Sequence, residues 1–298
     1  MRVVVTGGAG FIGSSLVYAL ISGRSEVTII DDLSTGSMDN VHPAAGFRRI
    51  DVTGPGLADA ILAAAPDVIV HLAAQVSVPV SIADPELDRR INVDGTRAVA
   101  EAAVASGARR VLFASSAAVY GDPAELPLTE ESPTAPVGPY GHSRLEAEGG
   151  PPEVPRPAGI DFASLRFANV YGPRQKAEGE GGVVAQFGSR MARRETPVIY
   201  GSGQQTRDFI FVADVVNACI QAAEFEGELA LPGASGPAYN ISTGTATSVN
   251  MLAEGLRVAM RYPGTIDRVD PRPGDVEASV RSPEKAARIF GWHAAVEL

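Results

Sequence analysis

A glycine-rich turn near the amino terminus constrains this chain more than any other feature of its sequence. The run Thr6-Gly7-Gly8-Ala9-Gly10-Phe11-Ile12-Gly13 joins the apolar stretch Val3–Thr6 to a stretch with helical apolar spacing, Ile12–Gly23. Glycines at the first, fourth and seventh places of GGAGFIG allow a tight turn, a close approach to a pyrophosphate and close helix–sheet packing. The N–H groups at the helix start can then bind phosphate oxygens. The sequence therefore predicts a strand–turn–helix unit that binds a dinucleotide.

Short apolar runs alternate with helical stretches along much of the chain. We predict strands at Val3–Thr6, Glu26–Ile30, Phe47–Ile50, Val68–Leu72, Arg110–Ser115 and Phe162–Arg166. We predict helices at Ile12–Gly23, Leu57–Ala65, Asp84–Ser106, Val183–Arg193 and Val212–Phe225. Such alternation with continuously apolar strands is typical of a parallel sheet buried on both faces. We expect an α/β fold, a Rossmann-type doubly wound parallel sheet with a smaller mixed C-terminal lobe that binds substrate.

The acidic residue that closes the second predicted strand selects between two dinucleotides. Asp31 lies where a carboxylate can bind the adenosine ribose hydroxyls, and no arginine is beside it. This pattern favours NAD over NADP. Asp51 and Val52 follow the third strand and either contact the adenine or form an ordinary turn.

Composition excludes several other classes of protein. The formal net charge is −10, so nonspecific nucleic-acid binding is not expected. No apolar run is long enough to span a bilayer. A single cysteine, Cys219, cannot form an internal disulfide, which suits a reducing cytoplasm. The histidines lack ligand spacing, so we expect no metal.

Nine segments carry a more specific resemblance. They are TGGAGFIG, IIDDLSTG, HLAAQVSV, SSAAVYG, SPTAPVGPYGHSR, LRFANVYGPRQ, YGSGQQTRDFIFVADVV, YNISTGTATSVN and PRPGDV, in this order. Together they resemble the extended short-chain dehydrogenase/reductase family, and within it the UDP-glucose 4-epimerase-like nucleotide-sugar epimerases. The resemblance implies an NAD-binding Rossmann domain at 1–167, with strand and helix returns from about 205–245. It implies that 168–298 mainly form the nucleotide-sugar-binding lobe.

The resemblance also implies catalytic residues. Tyr140 matches the family's base, and Ser116 matches the residue that polarises the same hydroxyl. A free phenol has a pKa of about 10, so a tyrosine base needs nearby positive charge. The family supplies that charge from a lysine four residues after the tyrosine, but this chain has Arg144 there. Arginine keeps the charge with a longer, planar group, so we expect retained cofactor binding and reduced turnover.

Binding residues are carried over from the same motifs. The expected cofactor contacts are Gly7, Gly10, Phe11, Ile12, Gly13, Asp31, Asp32, Ser34, Asp51, Val52, Leu72, Ala73, Ala74, Gln75, Asn92, Ser115, Tyr140, Arg144 and Phe167. The expected substrate contacts are Ser77, Val78, Ser116, Asn169, Val183, Val198, Tyr200, Arg207, Arg272 and Asp275. Asn169 and the two arginines match diphosphate ligands, and arginine suits that role because its planar fork binds two phosphate oxygens. Ser279 lies where relatives carry a bulkier tyrosine, which would leave room for an N-acetyl group.

The implied reaction is epimerisation of a nucleotide sugar, by default UDP-glucose/UDP-galactose, at C4 through a transient 4-keto sugar. A 4,6-dehydratase is less expected, because Ala117 and Ala118 stand where related dehydratases have an Asp-Glu pair. A non-catalytic or impaired sensor of NAD or nucleotide sugar is the alternative, since Arg144 departs from the family.

The helix that begins near Tyr140 meets Gly149-Gly150-Pro151-Pro152. Adjacent prolines cannot continue an α-helix, so we predict a helix of about 10 residues. In the family this helix is longer and packs with the Pro85–Ser106 helix in a homodimer. Pro151 and Pro152 put that homodimer in doubt.

Overall fold

The computed structural model describes residues 1–122, 125–149, 160–177, 182–230, 237–271 and 276–298. The strands are β1 Arg2–Thr6, β2 Glu26–Asp31, β3 Gly46–Arg49, β4 Val68–His71, β5 Arg110–Ser116, β6 Asp161–Phe167, β7 Asn169–Tyr171, β8 Val198–Tyr200, β9 Thr206–Arg207, β10 Phe209–Phe211, β11 Ala238–Ile241, β12 Thr247–Ser248, β13 Asp267–Val269 and β14 Ala278–Ser279. The helices are α1 Phe11–Ser22, α2 Leu57–Ala64, α3 Val78–Ala83, α4 Pro85–Arg89, α5 Gly95–Ser106, α6 Pro139–Gly149, α7 Val183–Ala192, α8 Val212–Glu224, α9 Val249–Ala259 and α10 Glu284–Phe290.

A seven-stranded sheet forms the centre of the molecule, in the order β11-β6-β5-β4-β1-β2-β3. Every neighbouring pair in it is parallel. This arrangement confirms the predicted Rossmann-type α/β fold. The chain moves outward from β1 to β3 and then returns to β4 on the other side of β1. Ligands of such sheets bind where the strand order reverses, beyond the carboxyl ends of the strands.

Strand β1 explains why the sheet is buried on both faces. Val3 and Val5 point into a core shared with α1 and α8, whereas Val4 points into a second core shared with α2 and α5. Side chains alternate between the two faces of a strand. The centre of a strand between two helical layers is therefore apolar on both faces, as at Val3, Val4 and Val5.

One predicted helix is interrupted in the structure. The stretch expected as a single helix from Asp84 to Ser106 forms α4, a π-helical turn at Arg90–Asp94, and α5. The hydroxyl of Thr96 at the start of α5 donates to the carbonyl of Asn92 in this turn at 2.6 Å. Thr96 also bonds to His71 on β4, and Asn92 bonds to the backbone of Gln75 beyond the end of β4. Such π turns are frequent at functional sites.

A smaller lobe lies outside the central sheet. It has a mixed sheet, β12-β9-β14, and its own apolar core of residues from α7, β8 and α9 with Tyr262. Strand β11 pairs with β6 and so belongs to the main sheet. The division of the chain into two domains at residue 167 stays a prediction. None of the described helices is long and apolar enough to cross a bilayer.

Helix α6 carries Tyr140 and is described as far as Gly149. It has 11 residues up to the last described position, so the predicted length of about 10 stays a prediction. Pro151 and Pro152, on which the predicted stop depends, lie outside the described residues.

Candidate active site

A cavity of about 830 Å³ lies along the carboxyl ends of β1, β2, β4, β5 and β6. Its size is in the ordinary range for ligand sites. The structure brings together in its wall all the sequence-predicted cofactor residues except Asn92. They are Gly7, Gly10, Phe11, Ile12, Gly13, Asp31, Asp32, Ser34, Asp51, Val52, Leu72, Ala73, Ala74, Gln75, Ser115, Tyr140, Arg144 and Phe167.

The glycine turn has no room for side chains. Gly7 has φ +70, and a Cβ there would lie 2.7 Å from the backbone nitrogen of Ala73. A Cβ on Gly13 would lie 2.1 Å from the carbonyl oxygen of Gly7. Helix α1 begins after Gly10 with no side-chain cap, so N–H groups of its first turn remain for a ligand. This cradle fits the pyrophosphate of a dinucleotide.

Asp31 holds this turn while facing the cavity. Its carboxylate accepts hydrogen bonds from the backbone N–H groups of Ala9 at 2.9 Å and Leu33 at 2.8 Å. A carboxylate has about four acceptor sites, so two such bonds leave capacity for ribose hydroxyls. The side chain both shapes the loop and offers the predicted ribose contact.

Three polar side chains line the cavity beyond the carboxyl end of β5, Ser116 from the end of β5 and Tyr140 and Arg144 from α6. The hydroxyl oxygen of Ser116 accepts from the N–H of Ala118 at 3.2 Å, and this bond does not use the hydroxyl hydrogen. The guanidinium carbon of Arg144 lies 5.2 Å from the ring centre of Tyr140. The predicted catalytic residues therefore line the same cavity as the glycine turn.

Arg144 is buried and two of its nitrogens are bonded within the protein. Nη1 donates to the carbonyl of Ala114 at 3.1 Å, and Nη2 donates to the carbonyl of Gln75 at 3.4 Å. Its Nε is buried without a hydrogen-bond partner. A buried N–H without a partner is costly.

Asn92 does not line the cavity, in contrast to the other predicted cofactor residues. Its Oδ1 accepts from the N–H of Gln75 at 3.0 Å, and its Nδ2 donates to the carbonyl of Gln75 at 3.1 Å. Because Asn92 lies in the π turn one layer behind the wall, it holds the backbone of a lining residue. A direct contact of Asn92 with the cofactor stays a prediction.

His71 lies behind the same wall, between Thr6 and Thr96. Its Nδ1 is 2.7 Å from the hydroxyl of Thr6, and its Nε2 is 3.0 Å from the hydroxyl of Thr96. Burial, and then the positive charge of Arg144, lower the pKa of His71 to about 3. The imidazole is therefore neutral at physiological pH and ties β4 to β1 and α5.

Sequence reasoning missed a segment that closes one side of the cavity. The guanidinium carbon of Arg174 lies 4.4 Å from the ring centre of Tyr18, and Lys176 donates to the carbonyl of Thr35 at 2.7 Å. The motif LRFANVYGPRQ contains Arg174 and ends one residue before Lys176, and two cations after a Gly-Pro turn are a usable signal. The other unpredicted lining residues are Ile30, Asn40, Ile50, Val76, Val80, Ile91, Ala114, Ala168, Val170, Gln175 and Gly182.

Of the predicted substrate residues that the structure describes, only two line the cavity. Ser77 and Ser116 line the cavity. The residues that lie on neighbouring elements outside the cavity wall are Val78 on α3, Asn169 on β7, Val183 on α7, Val198 and Tyr200 on β8, and Arg207 on β9. Arg272 and Asp275 lie outside the described residues. Ser279 pairs with Arg207 in the β14–β9 ladder. The substrate roles of these residues stay predictions.

Among the described residues, no three His, Cys, Asp or Glu side chains form a group that would hold a metal ion. The polar groups of the cavity are instead backbone N–H donors, hydroxyls, carboxylates, side-chain amides, the guanidinium groups of Arg144 and Arg174 and the ammonium group of Lys176.

Comparison with known proteins identifies the family. The family model described as "NAD dependent epimerase/dehydratase family" matches residues 3–242. The chain belongs to this family. Its cofactor is accordingly NAD, in agreement with the glycine cradle and Asp31.

Individual relatives of this family member extend over almost its whole length. A UDP-glucose 4-epimerase of Mycolicibacterium smegmatis is 38% identical over 304 residues, 100% of this chain and 95% of that protein. The structure of a UDP-glucose 4-epimerase from Thermotoga maritima with UDP-glucose has a TM-score of 0.92 at 35% identity, covering 100% of this chain and 94% of that one. A UDP-N-acetylglucosamine 4-epimerase from Methanobrevibacter ruminantium M1, in complex with UDP-N-acetylmuramic acid, has a TM-score of 0.91 at 33% identity, covering 99% and 93%.

Proposed function

We propose that this protein interconverts UDP-glucose and UDP-galactose by inverting C4 of the sugar through a transient 4-keto sugar. One observation carries the proposal: Ser116, Tyr140 and Arg144 line the same cavity as the glycine turn. The names of the relatives and of the Thermotoga maritima structure support the choice of a UDP-hexose.

Each side chain has a distinct task in this reaction. The Tyr140 hydroxyl takes the proton of the sugar 4-hydroxyl and later returns it, and Ser116 hydrogen-bonds the same oxygen. Arg144 places positive charge beside the phenol ring of Tyr140. NAD, when bound, supplies the hydride acceptor and donor. The protein contributes orientation, proton transfer and the exclusion of water from the cavity.

A nucleotide-sugar 4,6-dehydratase is disfavoured by the residues after Ser116. Elimination of water needs side chains that move protons, and the resemblance identifies an Asp-Glu pair in that role. Here the 3-10 turn Ala117–Tyr120 begins with two alanines. Neither can transfer a proton.

The test is incubation of the purified protein with UDP-galactose and NAD, with UDP-glucose measured by chromatography. Tyr140→Phe is the control, because it removes the proton-transfer group while leaving the ring. We expect turnover in the wild type and a loss of about 10²- to 10⁴-fold in the variant, with NAD still bound. Bound NAD without turnover on UDP-, dTDP- or GDP-sugars would instead support a sensor.

Ser279 suggests a second substrate class, the N-acetylated sugars. It pairs with Arg207 between β14 and β9 in the smaller lobe. We propose that the small side chain admits an N-acetyl group at C2 of the sugar. The Methanobrevibacter ruminantium structure, a UDP-N-acetylglucosamine 4-epimerase, supports this class. Comparable kcat/KM on the glucose and N-acetylglucosamine forms is expected, and strict exclusion of N-acetyl sugars would end the idea.

A further inference from the structure

A buried ion pair joins the helix that carries Tyr140 to the central sheet. Glu148 on α6 accepts two hydrogen bonds from Arg166 on β6, from Nε at 2.8 Å and from Nη2 at 2.6 Å. The two side chains are 7% and 5% exposed. Two parallel charge-assisted bonds to a planar guanidinium define both distance and orientation. This contact therefore restricts how α6 can move over β6.

A third hydrogen bond connects the same carboxylate to the strand that carries Ser116. The hydroxyl of Ser115 donates to Glu148 Oε1 at 2.6 Å. Ser115 is the neighbour of Ser116 in the chain and pairs with Arg166 in the β5–β6 ladder. One carboxylate thus contacts the carboxyl ends of two adjacent strands, at the level of the proposed proton-transfer site.

The position of Glu148 on α6 explains how its bonds can affect the other end of the helix. Tyr140, Arg144 and Glu148 follow one another at intervals of four residues. Residues four apart on a helix lie one above the other on the same side. A helix is stiff over this length, so a carboxylate fixed about 12 Å along the axis fixes the direction of the Tyr140 end.

The other side of Arg166 is braced as well. Its Nη1 donates to the hydroxyl of Tyr120 at 2.8 Å, and that hydroxyl donates to Asn240 Oδ1 at 2.8 Å. Burial opposes the charge of Arg166, but its bonds and attraction to Glu148 raise its pKa above the ordinary value. The guanidinium of Arg166 is therefore permanently charged. Its carboxylate partner is on α6, and its other partners, Tyr120 and Asn240, are neutral.

We propose that Glu148 and Arg166 are positioning residues, which hold α6 on the β5–β6 edge so that the hydroxyls of Tyr140 and Ser116 converge on one substrate oxygen. This inference rests on the proposed proton transfer for its kinetic consequence. It goes beyond that proposal by assigning a role to two residues that do not line the cavity.

A second ion pair, which joins β6 to β5, makes it possible to distinguish positioning from simple stabilisation. Arg110 on β5 and Asp161 on β6 form a buried pair at 2.6 Å, at the amino ends of these strands. It is of the same chemical type but lies at the edge of the sheet opposite to the cavity. A purely structural role would make carboxyl-to-amide changes in the two pairs behave alike.

The experiment compares Glu148→Asp, Glu148→Gln and, as the matched control, Asp161→Asn. Glu148→Asp keeps the charge but shortens the side chain by one methylene, so Arg166 can be reached only if α6 shifts. We expect kcat on UDP-galactose to fall about 10- to 100-fold in both Glu148 variants, with KM changed less than about threefold and NAD still bound. Asp161→Asn should lower the Tm and leave kcat unchanged well below that Tm.

A crystal structure of Glu148→Asp provides a readout that does not depend on turnover. The separation of the Tyr140 and Ser116 hydroxyl oxygens should increase relative to the wild type. An unchanged separation, or a kcat within twofold of the wild type, would overturn the positioning role. If Glu148→Gln does not fold, Glu148→Asp still decides. If the wild type proves inactive on every sugar nucleotide, the proposed function fails while the crystallographic comparison remains decisive for the inference.

Discussion

The two ends of the β5–β6 strand pair carry the same kind of ion pair in different surroundings. At the amino end, Arg110 also donates to the carbonyls of Ala222 and Phe225, and Asp161 accepts from the N–H of Leu229. At the carboxyl end, the bonds of Arg166 and Glu148 go to one another and to the side chains of Ser115 and Tyr120. The first pair therefore satisfies backbone groups of a connection, and the second fixes side chains next to a cavity.

This difference teaches that burial and ion-pair geometry alone do not identify a functional contact. Both pairs are buried and both have short bonds. What separates them is the edge of the sheet on which they lie and whether their partners are backbone or side-chain groups. In parallel sheets, the carboxyl edge is the one at which ligands bind.

The largest effect on stability is expected at the amino end. Asp161→Asn removes the negative partner and leaves Arg110 as an uncompensated buried cation, which costs about 3 kcal/mol of unfolding free energy. Denaturant unfolding measures this loss, and steady-state assays at a temperature where the variant is folded measure kcat. A fall in kcat with an unchanged midpoint of unfolding would contradict the claim that only the pair at the carboxyl end affects catalysis.

The next prediction concerns NAD affinity and the glycine turn at the carboxyl edge of the sheet. Gly13→Ala places a methyl group 2.1 Å from the carbonyl oxygen of Gly7, so the turn must open. We expect NAD affinity to fall by at least about tenfold, equivalent to about 1.4 kcal/mol, as measured by calorimetry on cofactor-stripped protein. Gly255→Ala on α9 is the matched control, because its Cβ meets nothing within 4 Å. Wild-type affinity in Gly13→Ala would show that the pyrophosphate is bound elsewhere.

The sequence predicted the cradle and most of the sheet because both depend on local signals. A glycine turn between a strand and a helix, and strands that are apolar at every position, can be read within about ten residues. Most predicted strand limits lie within one residue of those observed, as for Glu26–Ile30 against β2. The cofactor residues follow, because they come from loops at the carboxyl ends of those strands.

The misses depend on contacts between distant parts of the chain. Asn92 lies outside the cavity wall because the π turn places its amide against Gln75, and its predicted cofactor contact stays a prediction. Arg174 and Lys176 reach Tyr18 and Thr35, which are more than a hundred residues earlier. The pairing of Glu148 with Arg166 requires the placement of α6 over β6, which no local pattern reveals. The uninterrupted helix predicted from Asp84 to Ser106 was wrong for the same reason.

A smaller effect is expected from the departure at position 144. Arg144 uses Nη1 and Nη2 on the carbonyls of Ala114 and Gln75, whereas a lysine has one nitrogen to share among all partners. We expect Arg144→Lys to retain NAD and to raise kcat several-fold, since the shorter, compact cation restores the family residue. Stopped assays on UDP-galactose and calorimetry with NAD measure the two quantities. If neither changes, position 144 has no influence on the site.

The last prediction concerns acid stability, and it contrasts the buried His71 behind the cavity wall with an exposed histidine. Burial and the charge of Arg144 hold the pKa of His71 at about 3, against about 6.5 in an unfolded chain. Between about pH 6.5 and pH 3, His71 is therefore protonated in the unfolded state but neutral in the folded state. Stability from this group is fully present above pH 6.5 and falls as the pH decreases toward 3, by up to about 1.4 kcal/mol per pH unit.

His71→Gln removes this titration while keeping groups that can hydrogen-bond Thr6 and Thr96. We expect the variant to be less stable than the wild type at pH 7.5, but to lose stability less steeply between pH 6 and pH 4. His293→Gln, at an exposed position, should keep the wild-type slope. Urea unfolding at several pH values measures these slopes. Equal slopes for His71→Gln and the wild type would mean that the imidazole is protonated in the folded state, and that Arg144 does not oppose a second cation behind the cavity wall.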